Sequence, residues 1–273
     1  MSATPSSSFT ERRILLEDAY FTFNRREMVY PDPVEFLYRY DDPLDREIVA
    51  LIASTLAYGR VAGIHRSIAW VLDRIQAPRA AVCRRDISIV AEALAGFRHR
   101  FTTDRELISL LAGIRRAIRR YGSLKSCFLA GLSLHDGNTQ DALRRFVAQL
   151  NPADLQTSLL PAPERGSACK RLHLFLRWLV RSDDVDPGGW DDVGKERLTI
   201  PLDTHMFRLA QRLGLSGRCR PDGVTAAEVT AGFRQLRPDD PVRYDFALTR
   251  IAMSGTEIED GFVARWRRST LSP

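Results

Sequence analysis

Residues 169–181 read CKRLHLFLRWLVR, and within them Leu172, Phe175, Leu176, Leu179 and Val180 recur at i, i+3, i+4, i+7 and i+8. That spacing lays an apolar stripe along one side of an α-helix. At about 100° per residue, Lys170, Arg177 and Arg181 fall in a narrow arc on the opposite side, so the spacing predicts one packed face and one cationic face. The same helical period dominates the rest of the chain, and no alternating run is long enough to found a sheet. An all-α fold is expected.

Two stretches rich in Pro, Gly and Ser flank this helix, at 151–168 (NPADLQTSLLPAPERGSA) and at 182–201 (SDDVDPGGWDDVGKERLTIP). Beyond the second, Asp203 stands just before Met206, Leu209, Ala210 and Leu213 and reads as the N-cap of the next helix. Toward the N-terminus, ERRILLEDAYFTFNRR (11–26) is predicted as a first helix closed off by Pro31 and Pro33. A second begins with Asp42 as N-cap and Pro43 in its first turn, places Ile48, Leu51, Ile52, Thr55 and Leu56 on one face, and ends at Gly59. Thr103 and Glu106 form a capping box ahead of Leu107, Leu110, Leu111, Ile114 and Ile118. Arg115, Arg116, Arg119 and Arg120 lie mostly on the other side of that helix, either as a solvated face or as a stripe along DNA phosphates.

The chain has 273 residues, enough for one large domain or two lobes sharing a cleft. Its longest apolar stretches, such as IVALIASTLAYG, stop short of a membrane span, and MSATPSSS at 1–8 reads as a polar terminus with no secretion signal. A cytoplasmic protein, nucleoid-associated if it binds DNA, is expected. Cys83, Cys127, Cys169 and Cys219 are scattered without a CxxC pair, which argues for free thiols and against a zinc site or iron–sulfur cluster. The formal charge of +6 comes from arginine, a side chain suited to forked contacts with phosphate.

Two residues carry the candidate chemistry. Lys170 sits in a first helical turn, where the positive end of the helix dipole disfavours a cation and makes the neutral, nucleophilic amine easier to reach. A cleft lined by Arg177 and Arg181 would act in the same direction, allowing attack on a sugar carbon and a Schiff base afterwards. Asp203, as an N-cap carboxylate facing a helix start, is placed to stabilise an oxocarbenium-like sugar or to take a proton from Lys170. From periodicity alone, a surface lysine and a structural cap stand beside these roles. Trp178 and Trp190 are candidates for stacking on an extruded base, with Trp190 in its Gly-rich loop the better placed. His65, His173 and His205 show no metal-ligand spacing, and Asp245 in PVRYDFALTR has no identifiable chemical partner.

The string PLDTHMFRLAQRLGL (201–215) resembles the Pro-Val-Asp-Thr-His segment of the HhH-GPD DNA glycosylase superfamily, in which the aspartate is catalytic; Asp203 takes that place. GSACK (166–170) resembles the end of that superfamily's Gly-x-Gly-x-Lys hairpin, where Gly166 and Lys170 match and Ala168 does not. The 33-residue interval from Lys170 to Asp203 is similar to that of the archaeal 8-oxoguanine glycosylase branch. IVALIASTLAYGRVAGIHRSI (48–68) resembles the early helix and turn that reach the minor groove, so the resemblance implies that Tyr58, Gly59 and Arg60 border a flipped base. CKRLHLFLRWLVR, PLDTHM and DDPVRYDFAL also resemble segments of a bacterial family of unassigned function.

What the resemblance implies is a two-lobed helical fold with one lobe at 41–185, a second at 1–40 plus 186–273, and DNA in the cleft between them. The implied activity is excision of an oxidised purine such as 8-oxoguanine from double-stranded DNA by a monomer, with Lys170 as nucleophile, Asp203 assisting, and no metal or cofactor. Gly166, Ser167, Arg177, Arg181, Trp190 and His205 join the expected DNA or base contacts. The alternatives are a non-catalytic binder of damaged DNA with the same fold, and a monofunctional glycosylase in which water attacks and Lys170 only contacts phosphate.

Overall fold

The computed structural model describes residues 7–151 and 159–269; the expectations for residues 1–6 and 152–158 lie outside them. Among the described residues, helices α1 (Ser7–Phe23), α2 (Pro43–Thr55), α3 (Val61–Ile75), α4 (Pro78–Cys83) and α5 (Ile87–Ala93) are followed by a short hairpin, β1 (Arg98–His99) and β2 (Thr102–Thr103). Then come α6 (Asp104–Tyr121), α7 (Leu124–Leu129), α8 (Gln140–Leu150), α9 (Lys170–Val180), α10 (Thr204–Arg212), α11 (Gly223–Leu236), α12 (Asp245–Met253) and α13 (Thr256–Arg268). The chain is mainly helical, as the periodicity predicts. The hairpin is too short to register as alternation, and it carries Arg100 at φ +55 beside the tip residue Phe101.

The helix starts follow local chemistry. Asp42 accepts a hydrogen bond from the Leu44 amide (2.9 Å), and Pro43 fills the first turn of α2. Thr103 and Glu106 close the capping box of α6, the Thr103 amide donating to Glu106 Oε2 at 3.1 Å. The second helix ends at Thr55, ahead of the predicted Gly59, because the chain turns out through Leu56 to reach Tyr58.

Helix α2 lies at the centre. Every residue from Glu47 to Thr55 is buried, with α9, the 3-10 segment Pro33–Arg39, α4 and α7 packed around it. Its carboxylate Glu47 accepts hydrogen bonds from the amides of Leu124 (2.7 Å) and Lys125 (3.0 Å), so it anchors the first turn of α7. Helix α1 packs on α11, α12 and α13, and α10 packs on α12.

The crossing of α6 and α8 needs a missing side chain. A Cβ on Gly113 would stand 1.9 Å from the Leu150 carbonyl oxygen, inside any permissible contact. Gly113→Ala is therefore expected to destabilise the fold by about 1–3 kcal/mol or more through forced separation of the two helices, whereas Ala gains less than that in helix propensity. Chemical denaturation checks this, and an unchanged midpoint would refute the close packing.

Candidate functional site

Two helix starts meet at the partly open site. Lys170 is the first residue of α9, and Asp203 is the N-cap of α10. Lys170 Nζ lies 3.5 Å from Asp203 Oδ2, with 33% of the lysine side chain and 20% of the aspartate side chain exposed. The two carboxylate oxygens divide the work: Oδ1 accepts the Met206 amide at 2.8 Å and caps α10, which leaves Oδ2 toward the amine. The caps and periodicity were legible in sequence, whereas the meeting across 33 residues was expected from the motif resemblance alone.

The approach to Lys170 is held in an unusual shape. Cys169 takes a left-handed conformation (φ +46), which costs a non-glycine residue about 1–2 kcal/mol. Gly166 and Ser167 are exposed. They are tied to the start of α11, where the Gly223 amide donates to the Gly166 carbonyl at 2.9 Å and Ser167 pairs with Asp222 as an isolated antiparallel bridge. The Cys169 amide donates to Ser167 Oγ at 3.2 Å.

Arg177 and Arg181 depart from the expected cationic face: both are 3% exposed. The polar side of α9 is covered by the turn at 182–186 and by the α12 region, which bring aspartates onto it. Arg177 pairs with Asp186 (3.1 Å) and with Asp245; Arg181 pairs with Asp183 and, at 3.4 Å, with Asp240. These guanidiniums are enclosed by carboxylates and do not line an open cleft. Asp245, for which the sequence offers no partner, belongs to this cluster. Burial pushes its carboxyl up to about 6 and that of Asp186 up to about 7, against the pull of Arg177. Smaller influences come from Asp203, which raises the Asp245 carboxyl, and from Lys170, which lowers it.

The aromatic candidates are also in the core. Trp190 is 3% exposed and packs between Phe128 (5.6 Å) and Phe175 (5.1 Å), its amide donating to the Leu179 carbonyl. It is an anchor for the 182–201 loop and is not free to stack on a base; Trp178 is likewise fully buried. His173 is buried, and burial pushes its imidazole down to about 4. His205 stays half-buried in the first turn of α10, within 3.2 Å of an Arg208 donor. His65 bonds Glu35 at 2.8 Å.

Tyr58, Gly59 and Arg60 sit beside a broad basic groove of about 830 Å3 whose cations are Arg60, Arg66, Arg98 and Arg100. Gly59 runs beneath Arg100: a Cβ there would lie 2.9 Å from the Arg100 Cδ, and its φ of +100 suits glycine. Tyr58 is pinned by its hydroxyl, which donates to the His99 carbonyl (2.9 Å) and meets Thr102 Oγ1 at 2.6 Å. Its ring stacks on Phe101 at 5.1 Å, and Phe101 is 64% exposed. The guanidinium of Arg171, next to Lys170, lies 5.2 Å from the Tyr58 ring and donates to the Thr55 carbonyl. Packed side chains thus connect the Lys170 helix start to the groove.

Arg66, Arg98, Arg100 and Phe101 were missed in sequence, although a regional charge balance points to them. Residues 56–125 hold 14 Lys and Arg against five Asp and Glu, while the remaining chain holds 26 against 29. The positive charge is concentrated in this one stretch. Among the described residues, no ion pair engages Arg60, Arg66, Arg98 or Arg100, so the groove keeps its field. No helix among the described residues is long and apolar enough to cross a membrane.

The family described as "Protein of unknown function (DUF2400)" matches residues 32–254. No curated protein and no solved structure matches the chain.

Proposed function

We propose a base-excision activity on double-stranded DNA for this chain, which belongs to the DUF2400 family. The observation that carries the proposal is the amine–carboxylate pair, Lys170 Nζ and Asp203 Oδ2, at 3.5 Å and partly open to solvent. In this mechanism a damaged nucleotide leaves the stack, and the neutral Lys170 amine forms a bond to the sugar C1′. The glycosidic bond breaks as it does so, and the base departs with the bonding pair and a proton. Asp203 stabilises the positive charge that develops on the sugar. The C1′–O4′ bond then breaks, with the remaining amine proton passing to O4′, to give an imine; loss of a C2′ proton from it eliminates the 3′ phosphate and cuts the strand.

The basic groove supplies the field for the phosphate backbone, and the Tyr58–Phe101 stack offers an aromatic surface at its edge. The lobes at 41–185 and at 1–40 plus 186–273, in an HhH-GPD arrangement, and an oxidised purine as the lesion complete the proposal from the resemblance. The ion pair also favours a second arrangement, in which Lys170 remains a cation contacting phosphate and Asp203 activates water.

The full chain, incubated with duplexes carrying a single 8-oxoguanine or an abasic site and then reduced with borohydride, is expected to form a covalent protein–DNA adduct. Base release without any adduct supports the water mechanism. An adduct that persists in Lys170→Gln, or the absence of both adduct and base release on every lesion tested, overturns the lysine chemistry.

A further inference from the structure

Helix α6 carries a second cationic surface that the Lys170 site does not use. Arg115, Arg116, Arg119 and Arg120, with Ala112, line a depression of about 460 Å3. Arg116 Nη2 donates to the carbonyls of Gln149 (3.1 Å) and Leu150 (3.2 Å), and Arg120 Nη1 donates to the Gln149 side-chain oxygen at 3.4 Å. Those neutral acceptors hold the guanidiniums in place and leave their charge uncompensated. Among the described residues, no ion pair engages any of the four. Arg79 and Arg84, at α4, bring their charges to the same half-buried Cys83 as Arg115 and Arg119, which widens the patch beyond one helix. Arg115 Nε and Arg79 Nη1 are buried atoms without a hydrogen-bond partner. The carboxylate that faces Arg115 is Asp86, fully exposed and engaged in capping α5 through the Ser88 amide.

We infer that this face of α6 is a contact surface for a nucleic-acid phosphate backbone, separate from the groove beside Tyr58. The pairs Arg115/Arg119 and Arg116/Arg120 repeat one turn apart, about 6 Å along the axis, so the surface offers a regular double row of forked donors to a regular row of anions. None of the exposed large apolar side chains belongs to α6, so the face has nothing to insert into a lipid surface. The inference does not depend on Lys170 acting as a nucleophile.

The test measures affinity of the full chain for an undamaged duplex by fluorescence anisotropy across a potassium chloride series. With Arg115, Arg116, Arg119 and Arg120 all changed to Gln, the slope of log K against log salt is expected to fall by roughly 0.9 for each phosphate that is no longer neutralised, about two to four in all. Changing the same four to Lys retains most of the slope. Arg119→Gln alone, which removes no hydrogen bond seen in the fold, reduces the slope by about one. A folded Gln variant with the parental slope and affinity overturns the inference, as does binding to phosphatidylserine vesicles in preference to the duplex. Loss of the borohydride adduct in Lys170→Gln together with an unchanged slope in the Gln variants would leave the lysine chemistry standing and remove only this surface.

Discussion

Replacing Asp203 with asparagine is expected to slow base release by about 10²–10⁴-fold while α10 stays capped. The reason lies in the division of labour between the two carboxylate oxygens. Oδ1 serves the helix by accepting the Met206 amide, and an asparagine carbonyl can do the same, since Asn ranks with Asp as an N-cap. Oδ2 serves the amine of Lys170, and an amide there loses the negative charge that would stabilise a cationic sugar. Asp203→Ala would confound the two roles, because loss of a cap alone costs about 0.5–2 kcal/mol of stability. Single-turnover kinetics on a lesion duplex, with a thermal melt alongside, separates chemistry from folding. Lys170→Gln completes the comparison: attack by lysine predicts loss of the adduct and of base release together, whereas attack by water predicts that much of the base release survives. Parental kinetics in Asp203→Asn would show that the 3.5 Å pair is a structural ion pair and nothing more.

The features legible in the sequence are those written in local spacing. The stripe Leu172, Phe175, Leu176, Leu179 and Val180 is wholly buried as its periodicity predicts, and the caps at Asp42, Thr103 and Asp203 stand where the residue types place them. The same periodicity separated Arg177 and Arg181 from the apolar stripe but misjudged their surroundings. A polar arc marks a difference between helix faces and cannot reveal that Asp183, Asp186, Asp240 and Asp245, up to 68 positions away, will cover it. Trp190 illustrates the converse: a loop rich in glycine looks exposed, yet its tryptophan plugs the gap between Phe128 and Phe175. The hairpin carrying Phe101 is short enough to be invisible to any period, and the whole-chain charge of +6 averages away the excess in residues 56–125. Contact between Lys170 and Asp203 was expected from a resemblance in motif, since no local rule links two helix starts separated by a long loop.

The buried cluster beneath the site leads to the second large effect: Arg177→Met is expected to cost about 3–5 kcal/mol of stability at pH 8, because it strands Asp245 as an uncompensated buried charge and leaves Asp186 only Arg181, at 3.6 Å. The cost should shrink markedly at pH 5. In the folded chain, burial holds Asp186 at about 7 and Asp245 at about 6, while an aspartate in the unfolded chain titrates near 4. For a carboxyl raised on folding, the folded state binds the proton more tightly, so its stabilising contribution is fully present below about pH 4 and is lost as the pH rises through 6 and 7. Removing the Arg177 cation raises both groups further and carries that loss to higher pH. Arg181, Asp183 and Asp240 remain around the pair, and Asp240 too is raised by burial, so the slope with pH will not vanish in any single variant. Urea unfolding at pH 5 and pH 8 measures the difference. Adding Asp245→Asn to Arg177→Met should recover part of the stability at pH 8 and little at pH 5, since it removes a charge present only at the higher pH. Equal costs at the two pH values would mean that the arginine acts through packing alone. The same cluster adjoins the site above it: the Asp203 charge raises the Asp245 carboxyl and the Lys170 charge lowers it.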